Sequence, residues 1–364
     1  MTDSFNTGKY ISKAIANIIT GTILAVRKNP RESAFLLKYL PVSKRAESIR
    51  SSHEKAGRHI PPFLIASITT RCNLFCSGCY ARANQLCHDQ ATAGLLSADD
   101  WSRIFLQARD LGISFILLAG GEPLLRRDVL LVASTYKEIL FPVFTNGTGF
   151  DEEFFSLFDD NRNLIPMISI EGSAEQTNRR RGEGVYAKID TAMHRLCEKG
   201  ILFGVSITVT KNNIREITQL DFLRNLFELG AKVVLYVEYV PVTPDTTGDA
   251  PDAQERLFLE ERIQYARKEL CDMLFLSFPG DEKHTGGCLA AGRGFFHINP
   301  TGGAEPCPFS PYSDTNVREH SLIEVLHSPL FAKLSANGML LGEHSGGCLL
   351  FEKENEVREM MKNL

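Results

Sequence analysis

Cys72, Cys76 and Cys79 stand in the run Cys-Asn-Leu-Phe-Cys-Ser-Gly-Cys-Tyr, three and then two residues apart. That spacing gathers three thiols in one compact loop. Thiolates are soft ligands that suit iron–sulfur clusters and zinc. Three of them can hold a cubic iron–sulfur cluster and leave its fourth iron without a protein ligand, open to a substrate. Zinc usually takes a fourth Cys or His, and Cys87 or His88 is near enough in sequence to supply it. Buried, uncoordinated thiols are a third reading. Further along, Gly120-Gly121-Glu122-Pro123 has glycines that let backbone approach a ligand closely, with carbonyls that can accept from an ammonium group. A plain strand-to-helix turn would explain that tetrad equally well, and Thr145-Asn146-Gly147 is also a turn. Ser169 and Glu171 flank Ile170, so alternation along a strand puts both side chains on one face. Ser206 and Thr208 share a face in the same way.

In this order and setting the cysteine run resembles the signature of the radical S-adenosylmethionine (SAM) superfamily, over most of residues 64–348. The resemblance implies that Cys72, Cys76 and Cys79 bind a [4Fe-4S] cluster whose open iron chelates the amino and carboxylate groups of SAM. Reductive cleavage of SAM would then yield a 5'-deoxyadenosyl radical that takes hydrogen from substrate. Many members have an aromatic residue just before the third cysteine; here Gly78 stands there and Tyr80 follows. By resemblance, Tyr80 neighbours the adenine, and Gly120, Gly121, Glu122 and Pro123 hold the SAM amino group. Asn146 matches the pattern at the end of the third strand. Glu171, beside Ser169, accepts from the ribose hydroxyls. Arg181 nears the SAM carboxylate, although Arg179 and Arg180 blur that choice, and Ser206 makes a polar contact to SAM. Tyr239 lines the adenine or substrate side, or is an ordinary strand aromatic.

A second group comprises Cys288, Cys307 and Cys348. Thirteen residues separate Cys288 from Gly302, and four more lead to Cys307. This resembles the start of the auxiliary-cluster domains called SPASM or twitch. With only Cys348 near the C-terminus, the shorter twitch-like form with one auxiliary [4Fe-4S] cluster is implied. Three ligands are evident; an aspartate, a histidine, an exogenous ligand or Cys271 could complete the set, and structural zinc is the rival. Cys197, beside Leu196 and Met193, reads as a core thiol. Cys87 reads as ambiguous, with a substrate contact or radical relay among its roles.

These groups need elements to position them. Strand patterns fall at Leu64–Thr69, Phe115–Ala119, Pro142–Thr145, Met167–Ile170, Leu202–Thr208 and Val233–Val240. Helical patterns alternate with them: Ala98–Leu111 behind Ser97 as N-cap, Leu124–Ile139, Val185–Lys199 and Ile214–Leu229. About six β/α units imply a mainly parallel sheet with helical crossovers. The expected fold is therefore a partial (β/α)6 TIM-like barrel, with functional loops at the C-terminal ends of its strands. Residues 1–60 read as an N-terminal helical extension, with helices at Ala14–Val26, Ser33–Leu40 and Ser43–Gly57. The barrel spans 61–245, a linker helix 246–274, a small auxiliary-cluster domain 275–350 and a C-terminal helix 351–364.

The 364 residues carry a net charge of -4, with 43% apolar and 23% charged residues. That composition argues against disorder. Residues 1–60 hold eleven Lys or Arg against four Asp or Glu. They carry no nucleic-acid motif, and a helical extension or a contact surface accounts for them. No nucleic-acid partner is expected. Ala14–Val26 is too short to span a bilayer and contains Asn17, Thr20 and Thr22. No transmembrane segment and no export signal are expected, and a reducing cytoplasm suits the thiols. The expected function is hydrogen abstraction from a peptide or protein substrate during its maturation, with electrons from a reductant such as flavodoxin or ferredoxin. Family members that modify peptides often carry an N-terminal recognition domain with strands and a winged helix. The helical pattern of 1–60 does not read as one, so a separate recognition chain could serve. The alternatives are a tetrapyrrole or small-cofactor substrate, and a non-catalytic iron–sulfur redox or zinc-binding protein.

Overall fold

The computed structural model describes residues 29–88, 93–242, 244–336, 338–341 and 348–364, with backbone alone at 244, 245 and 284. The expected helix Ala14–Val26 lies outside these residues. The architecture is the expected partial barrel. Strands β1 (Phe63–Ser67), β2 (Phe115–Ala119), β3 (Phe141–Thr145), β4 (Leu164–Ile170), β5 (Gly204–Val209) and β6 (Val233–Glu238) pair in parallel, each with the next. A seventh strand, β7 (Leu274–Phe278), adds in parallel to β6. At the other edge β8 (His297–Ile298) pairs in parallel with β1, and β9 (Ala304–Glu305) closes a hairpin on β8. The sheet order is β7-β6-β5-β4-β3-β2-β1-β8-β9.

The period-2 pattern explains the curvature and its contents. In β2 and β6 buried residues alternate with half-buried ones. The buried set, including Ile116, Leu118, Val234 and Tyr236, packs under the helices; the half-buried set lines the barrel interior. Ser169 and Ser206 are half-buried and are register partners across β4 and β5, so both point inward.

The crossover helices are α3 (Ala98–Asp110), α4 (Arg127–Thr135), α5 (Glu152–Asp160), α6 (Ala174–Arg181), α7 (Val185–Glu198), α8 (Ile214–Ile217), α9 (Leu220–Glu228) and α10 (Ala253–Glu269). They follow α1 (Pro30–Lys55) and the short α2 (Tyr80–Ala83). Ser97 caps α3 in a reciprocal capping box with Asp100, as Asp252 caps α10 with Glu255. Trp101 and Phe105 of α3 are fully buried against the sheet.

Several expected elements differ. The two helices read at Ser33–Leu40 and Ser43–Gly57 are one helix, α1, which runs through Pro41. Tertiary anchors outweigh the proline. Tyr39 donates to Ser114 O at 2.8 Å, Glu32 accepts from Leu202 N at 2.9 Å, and Arg50 bonds Gly112 O. All these partners precede strands, so α1 closes the N-terminal end of the barrel, opposite the expected functional loops. The pattern Leu124–Ile139 holds a 3-10 turn and then α4, and Ile214–Leu229 is two helices. Further on, α11 (Leu322–Leu326) and α12 (Pro329–Ala336) are separate helices, because Pro329 starts a new one. Two last helices, α13 (Leu349–Glu352) and α14 (Glu354–Lys362), finish the chain.

Candidate functional site

The loop after β1 carries the first cysteine trio, and the end of β2 holds it by backbone pairing. Gly121 N donates to Thr69 O and Glu122 N to Arg71 O, each at 2.8 Å. The approach is so close that a Cβ at Gly120 would strike Thr69 O, and one at Gly121 would strike Arg71 O. Only glycine fits there. Glu122 is buried, and its carboxylate accepts from Thr145 Oγ1 at 2.6 Å, Asn146 N at 2.8 Å and Leu124 N at 3.0 Å. Burial raises its pKa to about 7 against those three donors. Its side chain is thus a brace between β2 and β3. Pro123 starts the 3-10 turn that Glu122 caps. Asn146 extends the brace by donating to Asn73 Oδ1 at 2.8 Å, inside the cysteine loop.

From the other side, Ser77 N donates to Arg180 O at 2.8 Å and ties the loop to α6. Gly78 has φ +64°, and Tyr239 explains why no side chain stands there: a Cβ on Gly78 would run into the Tyr239 hydroxyl. The aromatic ring arrives from the end of β6 over Gly78, the residue before the third cysteine. The Tyr239 hydroxyl is buried with no hydrogen-bond partner.

Glu171 ends β4 and is 1% exposed. Its Oε1 accepts from Arg180 at 2.6 Å and from Arg181 Nε at 2.8 Å, while Oε2 is buried and unpartnered. Burial works against the charge on Arg180, but Glu171, Cys76 and Cys79 outweigh it and raise its pKa. Arg180 Nε is also buried and unpartnered. Arg179 turns instead to Gln176. Burial raises the Cys76 thiol despite Arg181 and Arg180 nearby. Cys72 is lowered to about 6, chiefly by a hydrogen bond from Cys87, which keeps the proton. Cys87 is therefore a neighbour of the trio.

Tyr80 lies between the two cysteine groups, near both Cys79 and Cys307. Its ring lies 4.8 Å from that of Phe309, two residues beyond Cys307. Burial, with Cys79 and Cys307 nearby, raises its pKa. In the second group, the β8–β9 turn uses Gly302 at φ +96°, where a Cβ would meet Asn316 Oδ1. That hairpin returns Cys307 toward Cys288, and Ala291 N donates to Pro306 O at 3.0 Å. Cys307 and Cys348 share a hydrogen bond, with Cys288 close to both. Burial drives the Cys288 and Cys307 thiols well up, whereas the Cys307 bond lowers Cys348. Ser310 Oγ, beside Cys307, is buried and unpartnered.

Two thiols depart from expectation. Cys271 is exposed before β7, where it bonds Lys268 O at 3.3 Å, at the far end of that strand from Cys288. Cys197 is exposed, because it lies on the outer side of α7 rather than with Leu196 and Met193. Sequence reasoning also missed a buried chain. Ser67 Oγ lies 2.8 Å from His297 Nε2, and His297 Nδ1 lies 2.7 Å from Glu305, which accepts from Asn299 at 2.7 Å. It fastens β8 and β9 to the end of β1. No spacing rule marks these residues, since they meet only through the parallel β1–β8 pairing. Phe75, 69% exposed in the cysteine loop, lies under the Arg82 guanidinium at 3.9 Å.

Three thiols in each trio suit an iron–sulfur cluster, in which each thiolate ligates a different iron. Among the described residues no three His, Cys, Asp or Glu side chains converge closely enough to share one metal ion. The unpartnered Glu171 Oε2, Arg180 Nε and Tyr239 hydroxyl surround the first trio and offer polar contacts to a bound cofactor.

Comparison with known proteins agrees. The family "Radical SAM superfamily" matches residues 66–223. Two proteins of Methanosarcina barkeri are similar to this chain. An Fe-coproporphyrin III synthase is 29% identical over 43% of this chain, spanning 39% of its own length. An AdoMet-dependent heme synthase is 28% identical over 75% of this chain and 84% of its own. A PqqA peptide cyclase of Rhizobium meliloti is 27% identical over 74% of each chain. Streptococcus suis SuiB, solved bound to the precursor peptide SuiA, shares the fold with a TM-score of 0.66, 19% identity, and coverage of 84% of this chain and 75% of its own. The cysteine loop, the glycine brace beneath it and the barrel that carries both lie in or beside the stretch 66–223 that matches the radical SAM superfamily, and they give this chain a radical SAM catalytic domain.

Proposed function

We propose that this enzyme abstracts hydrogen from a peptide or protein substrate during its maturation. The observation that carries this reading is the seating of the second cysteine trio beside the first, with Tyr80 against Phe309 between them. The peptide cyclase and the SuiB fold support it. Exposed Phe75 offers an apolar contact for an extended substrate at the same loop.

In this reading Cys72, Cys76 and Cys79 hold the [4Fe-4S] cluster. The Gly120–Gly121 backbone receives the SAM ammonium, Arg180 or Arg181 its carboxylate, and Glu171 Oε2 the ribose, with Ser206 and Tyr239 lining the interior. Bound together, cluster and SAM supply a 5'-deoxyadenosyl radical for hydrogen abstraction. The protein's part is to orient these groups and exclude water. Cys288, Cys307 and Cys348 hold an auxiliary [4Fe-4S] cluster. Residues 61–245 form the catalytic unit and 275–350 the auxiliary one, and a flavodoxin- or ferredoxin-type protein in the cytoplasm supplies electrons. No helix among the described residues is long and apolar enough to cross a membrane.

A second reading, an iron tetrapyrrole as substrate, is favoured by the coverage of the heme synthase match. One experiment separates the two. The anaerobically reconstituted enzyme is given SAM and dithionite with a deuterated peptide encoded by an adjacent gene, or with Fe-coproporphyrin III. Deuterium in 5'-deoxyadenosine from the peptide is the expected result. Stimulation by the porphyrin alone would replace the peptide reading with the second. No 5'-deoxyadenosine from cluster-loaded protein would end both.

A further inference from the structure

Glu282 sits on the turn after β7, six residues before Cys288, and is 4% exposed. A buried carboxylate costs several kcal/mol unless a cation or a full set of donors meets it. Here the cation nearby is the Arg293 guanidinium, and the donors are scarce. Among the described residues its carboxylate receives one hydrogen bond, from Leu289 N to Oε1 at 3.4 Å, longer than an ordinary N–H···O bond. The turn is nevertheless held firmly. Thr285 Oγ1 donates to Glu282 O at 2.6 Å and to Gly287 O at 2.8 Å, and Glu282 N donates to Pro279 O at 2.7 Å. Arg293 reaches across to Thr285 O at 3.1 Å and bonds Cys288 O. The turn thus brings the Glu282 carboxylate to Leu289 N, next in sequence to Cys288. There it lies within electrostatic reach of Cys288 and Cys348.

The geometry points to Glu282 as the fourth protein ligand of the auxiliary cluster, an oxygen donor completing the set of Cys288, Cys307 and Cys348. This rests on the proposal that those cysteines hold a cluster. It accounts for the missing fourth ligand, since Cys271 lies at the far end of β7 and is exposed. It also accounts for an acid buried with so few donors, because iron would add to the positive charge that Arg293 already brings. With every iron bound by protein, the auxiliary cluster keeps no open site for SAM or substrate. Replacing thiolate by a harder ligand also raises a cluster's potential, which suits an electron acceptor.

The test uses the full-length chain carrying Cys76→Ala, so that the auxiliary cluster is the only one, reconstituted anaerobically with iron and sulfide. About four irons per chain are expected, stable to mild ferricyanide oxidation. Adding Glu282→Ala should cost one iron in four under the same oxidation and produce the EPR signal of a three-iron cluster. Adding Glu282→Cys should keep all the iron and shift the midpoint potential to more negative values. The cysteine variant also decides the matter if the alanine variant does not fold. Full iron retention without a three-iron signal in Glu282→Ala, or an unmoved potential in Glu282→Cys, would overturn the assignment and leave the cluster itself standing. A Cys76→Ala chain that takes up no iron would overturn the auxiliary cluster and this ligand together.

Discussion

Glu171 shows how one carboxylate can serve two purposes. Oε1 gathers Arg180 and Arg181, and Oε2 is held buried without a partner at the C-terminal end of β4. Glu171→Gln keeps the shape but replaces charge-assisted bonds with neutral ones, a change of about 1.5 kcal/mol for each such contact. SAM affinity should fall about tenfold with iron content unchanged, read by titration of the reconstituted protein. Unaltered affinity would make Glu171 a strand-end anchor for the arginines alone. Cys76 makes the complementary case. Its replacement by Ala removes one thiol of the first trio while Cys288, Cys307 and Cys348 stay intact. Iron should drop by about one cluster's worth, and SAM cleavage should vanish; normal cleavage would refute the trio's role.

Elements rather than residues decide how the loop is held, and here the brace of Glu122 is the telling case. In sequence, Gly120–Pro123 looks like a ligand-binding motif. In the fold, the Glu122 side chain joins β2 to β3, and only the glycine backbone is left near the cysteine loop. Glu122→Gln would set an amide N–H against backbone donors, so we expect a loss of about 2 kcal/mol, measured by chemical unfolding. The same group gives a pH signature. Its pKa is raised by burial from 4.5 to about 7, so the folded chain keeps a proton that the unfolded chain releases. This stabilisation is complete below pH 4.5 and is lost as pH rises through 7. The melting temperature of wild type should therefore fall between pH 5 and 7.5 more steeply than that of Glu122→Gln; parallel curves would sink the assignment. Such braces mark the limit of what sequence tells. The cysteine spacings, Gly120–Gly121 and the six alternating strands were legible because they depend on local geometry. Tyr239 over Gly78, the Ser67–His297–Glu305 chain and Glu282 were not, because each pair or chain meets only after distant strands align. The strand Leu274–Phe278 was missed because it is short and follows a long charged helix, where a domain boundary is the simpler reading.

At the scale of the whole molecule, the question is whether the C-terminal region stands by itself or depends on its thiols. Cys348 is the hinge of that question, since it is both the last cysteine of the second trio and the N-cap of α13. From Cys307 the chain runs through α11 and α12 before it returns, closing a loop of roughly forty residues at an entropic cost that grows with the logarithm of its length. Against that cost stand the buried side chains Leu349, Leu350 and Val357 and the bond from Tyr312 to Glu354 at 2.7 Å. These are few contacts for two short helices, so metal ligation should contribute materially to their folding. Cys348→Ala should lose about one cluster of iron and speed amide exchange at least ~10-fold, about 1.4 kcal/mol, across residues 348–364 and around Cys307. Exchange in β1 to β6 should not change. Uncoupled SAM cleavage should survive, because the first trio is untouched, while substrate turnover fails. Unchanged iron with unchanged protection over residues 280–341 and 348–364 would sink the auxiliary cluster. Loss of SAM cleavage with the first cluster intact would instead show that the Tyr80–Phe309 contact carries the state of one cysteine group to the other.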